Sequence, residues 1–197
     1  MSTYVLFFGG YHATQTDMDV WLASAKAQRP DVDFDAIPYP PGASSEGPSA
    51  VSAFTNGDLF DGAITQIGTS GAAQTYIVGH SSGCAIANAL DRMLKDNSKI
   101  NLVALDGFAP DAKQLTRPST QVWSAINGGA KSLNYDKLKA KVPSLKEHHA
   151  PGCTTIWALH FSLVNAAATD KIVTGKKVED IIKTGYRHCK ANLAWLK

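Results

Sequence analysis

The sequence contains a short glycine-flanked run, Gly79-His80-Ser81-Ser82-Gly83, which fits the pattern G-x-S-x-G. A hydrophobic segment that ends at Val78 precedes the run directly, and a helix-forming segment follows from Cys84. This context is what a nucleophile elbow requires, because small flanking residues allow a sharp strand-to-helix turn that exposes the serine. The start of the following helix also favours the negative charge that develops during acyl transfer. The run therefore predicts a nucleophilic serine at position 81.

The rival interpretation of this run is a plain glycine-rich turn, as found in nucleotide-binding folds. Such folds carry G-x-G-x-x-G or G-x-x-x-x-G-K patterns. Neither pattern occurs in this sequence, so a phosphate-binding loop is disfavoured.

A serine hydroxyl becomes a useful nucleophile only when a base removes its proton and a carboxylate orients that base. Asp106 follows the hydrophobic segment 101–105, at the carboxyl end of a predicted strand, where functional groups of α/β folds gather. After the next predicted strand no carboxylate occurs before Asp136, which is the second candidate. The alternative for Asp106 is an N-cap of the turn that follows it.

Six histidines compete for the role of base. His160 comes directly after the apolar run Ile156–Leu159, which we interpret as the end of the last strand, so we predict His160 to be the base. His188 is the second candidate, although its place in the terminal helical region favours a surface or packing role.

The remaining histidines are expected to have other roles. His148 and His149 precede the predicted last strand, which places them at the opposite edge of the sheet. His80 lies inside the elbow, where its ring cannot face the neighbouring Ser81, and His12 in the first loop is predicted to line the pocket.

These residues resemble the α/β-hydrolase superfamily, and the resemblance extends over the whole chain in the order of its elements. Within that superfamily the Gly-His-Ser-x-Gly elbow and the run Leu105–Pro110 look like the thioesterase and lipase-like branches. The resemblance implies a triad in the chain order Ser81, Asp106, His160, with the histidine after the last strand. It also implies a small, lidless esterase or thioesterase.

The resemblance further implies an oxyanion hole and a set of substrate contacts. Ser82 would donate one backbone N–H, and the turn Phe8-Gly9-Gly10-Tyr11 would donate the other, from Tyr11 in preference to Gly10. The expected substrate-binding residues, for which ordinary packing is the alternative, are Gly10, His12, Tyr39, His80, Phe108 and Phe161.

Strand and helix signals alternate along the chain. Strands are predicted at 4–9, 32–37, 74–78, 100–105, 121–126 and 154–159. Helices are predicted at 17–28 with Thr16 as its cap, from Pro48 to about 67 with a break near Asn56, at 84–95, 110–117 and 135–141, and from 176 onward. This order predicts an α/β fold, with a mostly parallel sheet of about six strands and helices on both faces. The 197 residues suit one domain spanning 1–197.

Composition excludes several classes of function. The net charge is only +2, and the lysines at 137, 139, 141 and 146 are typical of a solvated face, so no nucleic-acid partner is expected. No apolar run reaches the roughly 18 residues that span a membrane. The N-terminus lacks a basic start and a cleavage site, which favours a cytoplasmic location. The three cysteines show no CxxC spacing, so zinc is not expected and free thiols are favoured.

The sequence therefore predicts a serine hydrolase that cleaves esters with short or medium acyl groups and needs no metal or organic cofactor. Only about 14 residues separate Asp106 from the strand that begins at Gln121, too few for a cap domain. The site is expected to be open, covered at most by the loop 38–48. The alternatives are an acyl-thioesterase or acyltransferase on the same fold, and a non-catalytic module that binds a small ligand.

Overall fold

A computed structural model describes residues 2–107 and 117–197 of the chain. The helix predicted at 110–117 falls almost entirely outside the described residues, and so does the candidate substrate contact Phe108.

The described residues form seven strands and seven helices. The strands are β1 (Thr3–Phe8), β2 (Val32–Ile37), β3 (Gln74–His80), β4 (Ile100–Leu105), β5 (Gln121–Asn127), β6 (Ala130–Lys131) and β7 (Lys146–His149). The helices are α1 (Gln15–Gln28), α2 (Gly47–Thr55), α3 (Asp58–Thr69), α4 (Gly83–Met93), α5 (Tyr135–Lys141), α6 (Ile156–Ser162) and α7 (Val178–Arg187).

The strands form one mostly parallel sheet. Its order is β2-β1-β3-β4-β5, and β5 pairs further with β7 in parallel and with the two-residue β6 in antiparallel orientation. The register pairs Phe8 with Gly79 and His80 with Leu105, so β1, β3 and β4 end at the same edge. The predicted fold class is confirmed, and this edge brings together the chain segments that follow those three strands.

Helices cover both faces of the sheet. Successive side chains of a strand point to opposite faces of the sheet, so the side chains of Phe7 and Phe8 in β1 lie on opposite faces. Phe7 stacks on Trp21 of α1 with ring centroids 4.1 Å apart, whereas Phe8 meets Phe54 of α2 edge to face at 5.3 Å. Helices α1 and α2 therefore lie on opposite faces, as expected for an α/β fold.

The predicted strand at 154–159 is wrong, because this segment belongs to helix α6. Thr155 is the N-cap of α6, and its hydroxyl accepts a hydrogen bond from the Ala158 N–H. A short apolar run fits a buried helix as well as a strand, and here the cap decides between them. The last strand is β7 instead, so His148 and His149 lie in it and do not precede it.

The start of α1 also differs from the prediction. Its N-cap is Thr14, not Thr16, and Thr14 forms a reciprocal capping box with Asp17. Asp17 can serve this box because it stands three residues after the cap, where its carboxylate reaches the Thr14 N–H.

Among the described residues, no helix combines the length and the apolar character needed to cross a bilayer.

Candidate active site

Ser81 stands on a strained turn between β3 and α4. Its φ is 55°, a left-handed conformation that non-glycine residues rarely adopt, and its N–H donates to the Leu105 carbonyl oxygen at 2.9 Å. The flanking glycines are required by close packing. A Cβ on Gly83 would collide with the Gly9 carbonyl oxygen, and one on Gly79 would lie 2.5 Å from the Cys84 Cα. This geometry is that of a nucleophile elbow.

Asp106 and His160 form a buried pair beside this turn. The Nδ1–H of His160 donates to Oδ2 of Asp106 at 2.6 Å, and both side chains are buried. Because a carboxylate accepts the Nδ1 proton, Nε2 of the neutral ring is left as a proton acceptor. Within the described part of the chain, no hydrogen bond occupies Nε2. His160 therefore has the tautomer that a general base needs.

Three further residues hold the Asp106 carboxylate, and sequence reasoning missed all three. The hydroxyls of Ser124 on β5 and Ser132 after β6 donate to Oδ1 at 2.5 and 2.8 Å. The backbone N–H of Asn134 approaches Oδ2 at 3.4 Å, and its side-chain amide donates to the Asp106 carbonyl oxygen at 2.7 Å. The only signal was a serine within a buried strand. These donors fix the rotation of the carboxylate, and they leave Oδ2 directed at His160.

Ser81 and His160 line the same cavity, whose volume is about 290 Å³. The described residues that line it are Gly10, Tyr11, Ser45, His80, Ser81, Ser82, Leu133, Trp157, His160, Phe161, Val178, Ile182 and Tyr186. In the described structure the Ser81 hydroxyl has no hydrogen-bond partner, and the link from Ser81 to His160 is not formed. Such links are often long without substrate and shorten when it binds.

Two backbone N–H groups beside Ser81 are free to stabilise an oxyanion. The N–H groups of Tyr11 and Ser82 make no hydrogen bond within the described residues, and both residues line the cavity. The Gly10 N–H is already engaged, because it donates to the Tyr186 hydroxyl at 3.1 Å. A Cβ on Gly10 would lie 2.8 Å from the Ser81 Cβ, so this loop approaches the elbow as closely as glycine permits. The geometry favours Tyr11 over Gly10 as the donor.

A buried polar network links Gly10 in the loop after β1 with Tyr186, His80 and the backbone of His160. The Tyr186 hydroxyl accepts from Gly10 and lies 2.6 Å from Nδ1 of His80, while Nε2 of His80 lies 3.2 Å from the His160 carbonyl oxygen. Since a carbonyl only accepts, Nε2 carries the proton and Nδ1 accepts from Tyr186.

Burial, followed by the nearby His160, lowers the pKa of His80 well below its usual value. His80 therefore stays neutral, and its ring connects the Tyr186 hydroxyl to the His160 carbonyl oxygen. It borders the cavity but is wholly buried, so its main contacts are within the protein.

Replacing Tyr186 by phenylalanine is expected to lower both stability and turnover. The change removes one hydroxyl and leaves the Gly10 N–H and Nδ1 of His80 without partners in a buried place. Each such group costs about 1–3 kcal/mol, so the free energy of unfolding should fall by about 2–6 kcal/mol. The loop after β1 loses the hydrogen bond that holds Gly10 beside Ser81, so kcat should fall about 10- to 100-fold with little change in KM. Denaturant unfolding and steady-state kinetics measure the two effects.

Tyr4→Phe is the matched control for this variant. Tyr4 is a buried tyrosine at the start of β1, away from the candidate site, and its hydroxyl donates to Asp35 at 2.9 Å. This control should lose stability without losing kcat. A Tyr186→Phe protein with reduced stability but unchanged kcat would show that the network has no positioning role.

His12 and Tyr39 do not line the cavity of Ser81. They border a second cavity of about 640 Å³ between the first loop and the loop after β2, and Tyr11 lines both cavities. His12 pairs with Glu179 at 3.6 Å. The loop after β2 does reach the candidate site, because Ser45 lines the first cavity and its carbonyl oxygen accepts from the Ser82 hydroxyl at 3.0 Å. Phe161 and Gly10, by contrast, line the cavity of Ser81.

The helix that carries His160 is fastened at its N-terminal end by Asp170. This carboxylate accepts hydrogen bonds of 2.7–2.9 Å from the backbone N–H and hydroxyl groups of Thr154 and Thr155. Desolvation alone would raise its pKa, but these donors lower the pKa of Asp170 to about 2. The carboxylate is therefore ionised at neutral pH and fixes the entry to α6.

The second candidates for acid and base lie outside the cavity. Asp136 forms an ion pair with Lys131 at 2.7 Å, and 78% of its side chain is exposed. His188 is an exposed residue at the C-terminal end of α7. Across residues 2–107 and 117–197, no group of three or more His, Cys, Asp and Glu side chains is arranged to hold a metal ion.

No protein-family model matches the chain, and no curated protein matches it. Several solved structures are similar. A CIB-like hydrolase from Thermoplasma acidophilum is 14% identical over 75% of each chain, with a TM-score of 0.49. The ydeN gene product of B. subtilis is 16% identical over 74% of this chain and 84% of its own, with a TM-score of 0.42. An extracellular α/β-hydrolase of a Paenibacillus species is 19% identical over 56% of this chain and 42% of its own, with a TM-score of 0.36.

Proposed function

We propose that this chain is a serine hydrolase of the α/β-hydrolase kind, which cleaves carboxylic esters with short or medium acyl groups through an acyl-enzyme. One observation carries the proposal. The 2.6 Å hydrogen bond from His160 to Asp106 leaves Nε2 unpaired in the cavity that also holds the Ser81 hydroxyl. Ser81, His160, Tyr11 and Ser82 line one cavity, which supports the proposal because acyl transfer needs a nucleophile, an oriented base and two backbone donors.

In the first half of the reaction Ser81 Oγ attacks the acyl carbon, and its proton moves to Nε2 of His160. Asp106 stabilises the imidazolium that forms. The backbone N–H groups of Tyr11 and Ser82 stabilise the negative oxygen of the tetrahedral intermediate. The bond to the leaving oxygen then breaks, and that oxygen takes the proton from His160. The products are an alcohol and an acyl group bound to Ser81.

In the second half water attacks the acyl carbon while Nε2 of His160 accepts its proton. The bond to Ser81 Oγ breaks, and the proton returns to that oxygen. The acid leaves, and the serine and the neutral histidine are restored.

A fluorophosphonate probe tests this proposal directly. The probe should label the wild-type protein covalently, and Ser81→Ala should remove the label completely, because only an activated serine attacks the phosphorus. Ser82→Ala is the matched control, since its side chain contacts Ser45 and its backbone N–H is retained, and it should still be labelled. A wild-type protein without label would contradict the proposal and support the binding module.

A further inference from the structure

The wall of the cavity beyond Ser81 and His160 is apolar. It is built by Leu133 after β6, by Trp157 and Phe161 of α6, and by Val178 and Ile182 of α7. Among the described lining residues there is no Asp, Glu, Lys or Arg. A charged group in this part of the cavity would lose its hydration without gaining a partner, so the wall selects for uncharged, apolar groups.

This apolar wall continues outward onto the surface. Phe161 and Ile182 are buried at its base, whereas Val178 and Leu133 at its rim are 40% and 43% exposed. Two of the large hydrophobic side chains exposed in the described part of the chain therefore border one cavity, and exposed Ile156 precedes Trp157 in the sequence. An apolar group that covered the rim would remove these side chains from water, which favours binding.

We infer that the apolar wall, formed by Leu133, Trp157, Phe161, Val178 and Ile182, is a subsite for an uncharged aliphatic acyl chain of about six carbons. The inference rests on the proposed function, because the chain must be attached to the carbonyl carbon that Ser81 attacks. A volume of about 290 Å³ holds about ten water-sized groups. The two ester oxygens and the first two atoms of the leaving group fill about four of these, which leaves room for an acyl chain of about six carbons, the carbonyl carbon included.

The occupant is the substrate's own chain because the wall is continuous with the cavity of Ser81. Phe161 and Ile182 are buried, whereas Val178 and Leu133 are partly exposed, so a chain that extends from the buried Ser81 side to the opening would contact first the one pair and then the other. All four residues line the same cavity as Ser81 and His160. Docking onto aggregated lipid is the competing use of such a rim, and the experiment below distinguishes it.

A chain-length series of p-nitrophenyl esters tests the subsite. The acetate, butanoate, hexanoate and decanoate are compared below the concentrations at which they aggregate. Each methylene that enters the subsite should raise kcat/KM by up to about fourfold. We expect a rise of at least about tenfold from acetate to hexanoate, and little further rise to decanoate, because the cavity is then full.

Two rim variants test the residues themselves. Val178→Ser and Leu133→Ser should each lower the hexanoate-to-acetate ratio of kcat/KM by about fivefold. Because both esters react through the same catalytic groups, the ratio of their kcat/KM values is insensitive to changes in those groups. This matters for Leu133, since its neighbours Ser132 and Asn134 donate hydrogen bonds to Asp106. Leu59→Ser is the matched control, since Leu59 is also 43% exposed, and Met93→Ser is a second one. Both lie outside the cavity, and neither should change the ratio.

The outcomes separate this inference from the proposed function. Without probe labelling and without hydrolysis of any ester, the proposed function itself is wrong. With labelling and acetate hydrolysis but a flat chain-length profile, only the subsite is wrong. A rate that rises sharply only when the decanoate ester aggregates would assign the rim to a lipid surface and overturn the subsite. Rim variants that behave like Leu59→Ser would also overturn it.

Discussion

Replacing His160 by alanine is expected to lower kcat for a short soluble ester by about 10⁵- to 10⁶-fold. Among the described residues that line the cavity of Ser81, His160 has the one ring nitrogen, Nε2, that no hydrogen bond occupies and that can accept the serine proton. The other histidine at the cavity, His80, cannot replace it, because both of its ring nitrogens are engaged and burial lowers its pKa. Only stabilisation by the oxyanion donors would remain in this variant.

The fold should survive this change, so that the loss can be assigned to chemistry. The Asp106 carboxylate keeps the hydroxyl donors Ser124 and Ser132 when His160 is absent. Steady-state kinetics and thermal unfolding measure the two properties. His188→Ala is the matched control and should stay within about twofold of wild type, because an exposed histidine contributes little. Full activity of His160→Ala would show that another group is the base.

Neighbouring parallel strands explain why part of the site could be predicted from the sequence. Ser81 and Asp106 each follow a strand whose apolar run is easily recognised, and β3 pairs directly with β4. Residues that follow adjacent parallel strands must lie close together at the carboxyl edge. The glycines around Ser81 are also visible in the sequence as a short motif, although only the collision at Gly79 comes from the same turn and the one at Gly83 comes from the distant Gly9.

The segment that carries His160 could not be assigned correctly from the local sequence pattern. The apolar run before this residue predicts a strand but belongs to the helix α6, and the His160 side chain still reaches Asp106. A four-residue apolar run does not reveal its period, so the element was ambiguous. The prediction of His160 rests on two arguments, its chain order and its place at the end of a last strand. The second is wrong, because α6 carries the residue, whereas chain order holds for a strand or a helix alike.

The supporting contacts could not be predicted, because they join residues far apart in the sequence. Tyr186 stands 176 positions after Gly10, and Ser132 stands 26 positions after Asp106. Nothing in the local pattern marks a helix tyrosine or a loop serine as the partner of a distant group. These contacts form because α7 packs near the loop after β1 and the segment after β6 packs near Asp106. This packing is visible only in the folded structure.

Replacing Asp106 by asparagine is expected to lower kcat by about 10⁴-fold, although the new side chain has the same size and shape. The hydroxyls of Ser124 and Ser132 donate to Oδ1 at 2.5 and 2.8 Å, whereas the Asn134 N–H lies 3.4 Å from Oδ2, so the two closer donors favour the carbonyl oxygen of the new amide at the Oδ1 position. Its NH₂ group then faces Nδ1 of His160 and donates to it. The histidine must place its proton on Nε2, which can no longer accept the proton of Ser81.

Asp136→Asn is the matched control for this variant, because Asp136 pairs with Lys131 on the surface and is the other carboxylate that the sequence offered. Its kcat should stay within about twofold of wild type, since exposed ion pairs contribute little. The orientation argument predicts more than a loss of rate. Asp106→Asn with Ser124→Ala and Ser132→Ala frees the amide to rotate, so its oxygen can face Nδ1 and restore the useful tautomer. The triple variant should therefore be more active than Asp106→Asn alone, and equal or lower activity would show that the two hydroxyls do not set the tautomer of His160.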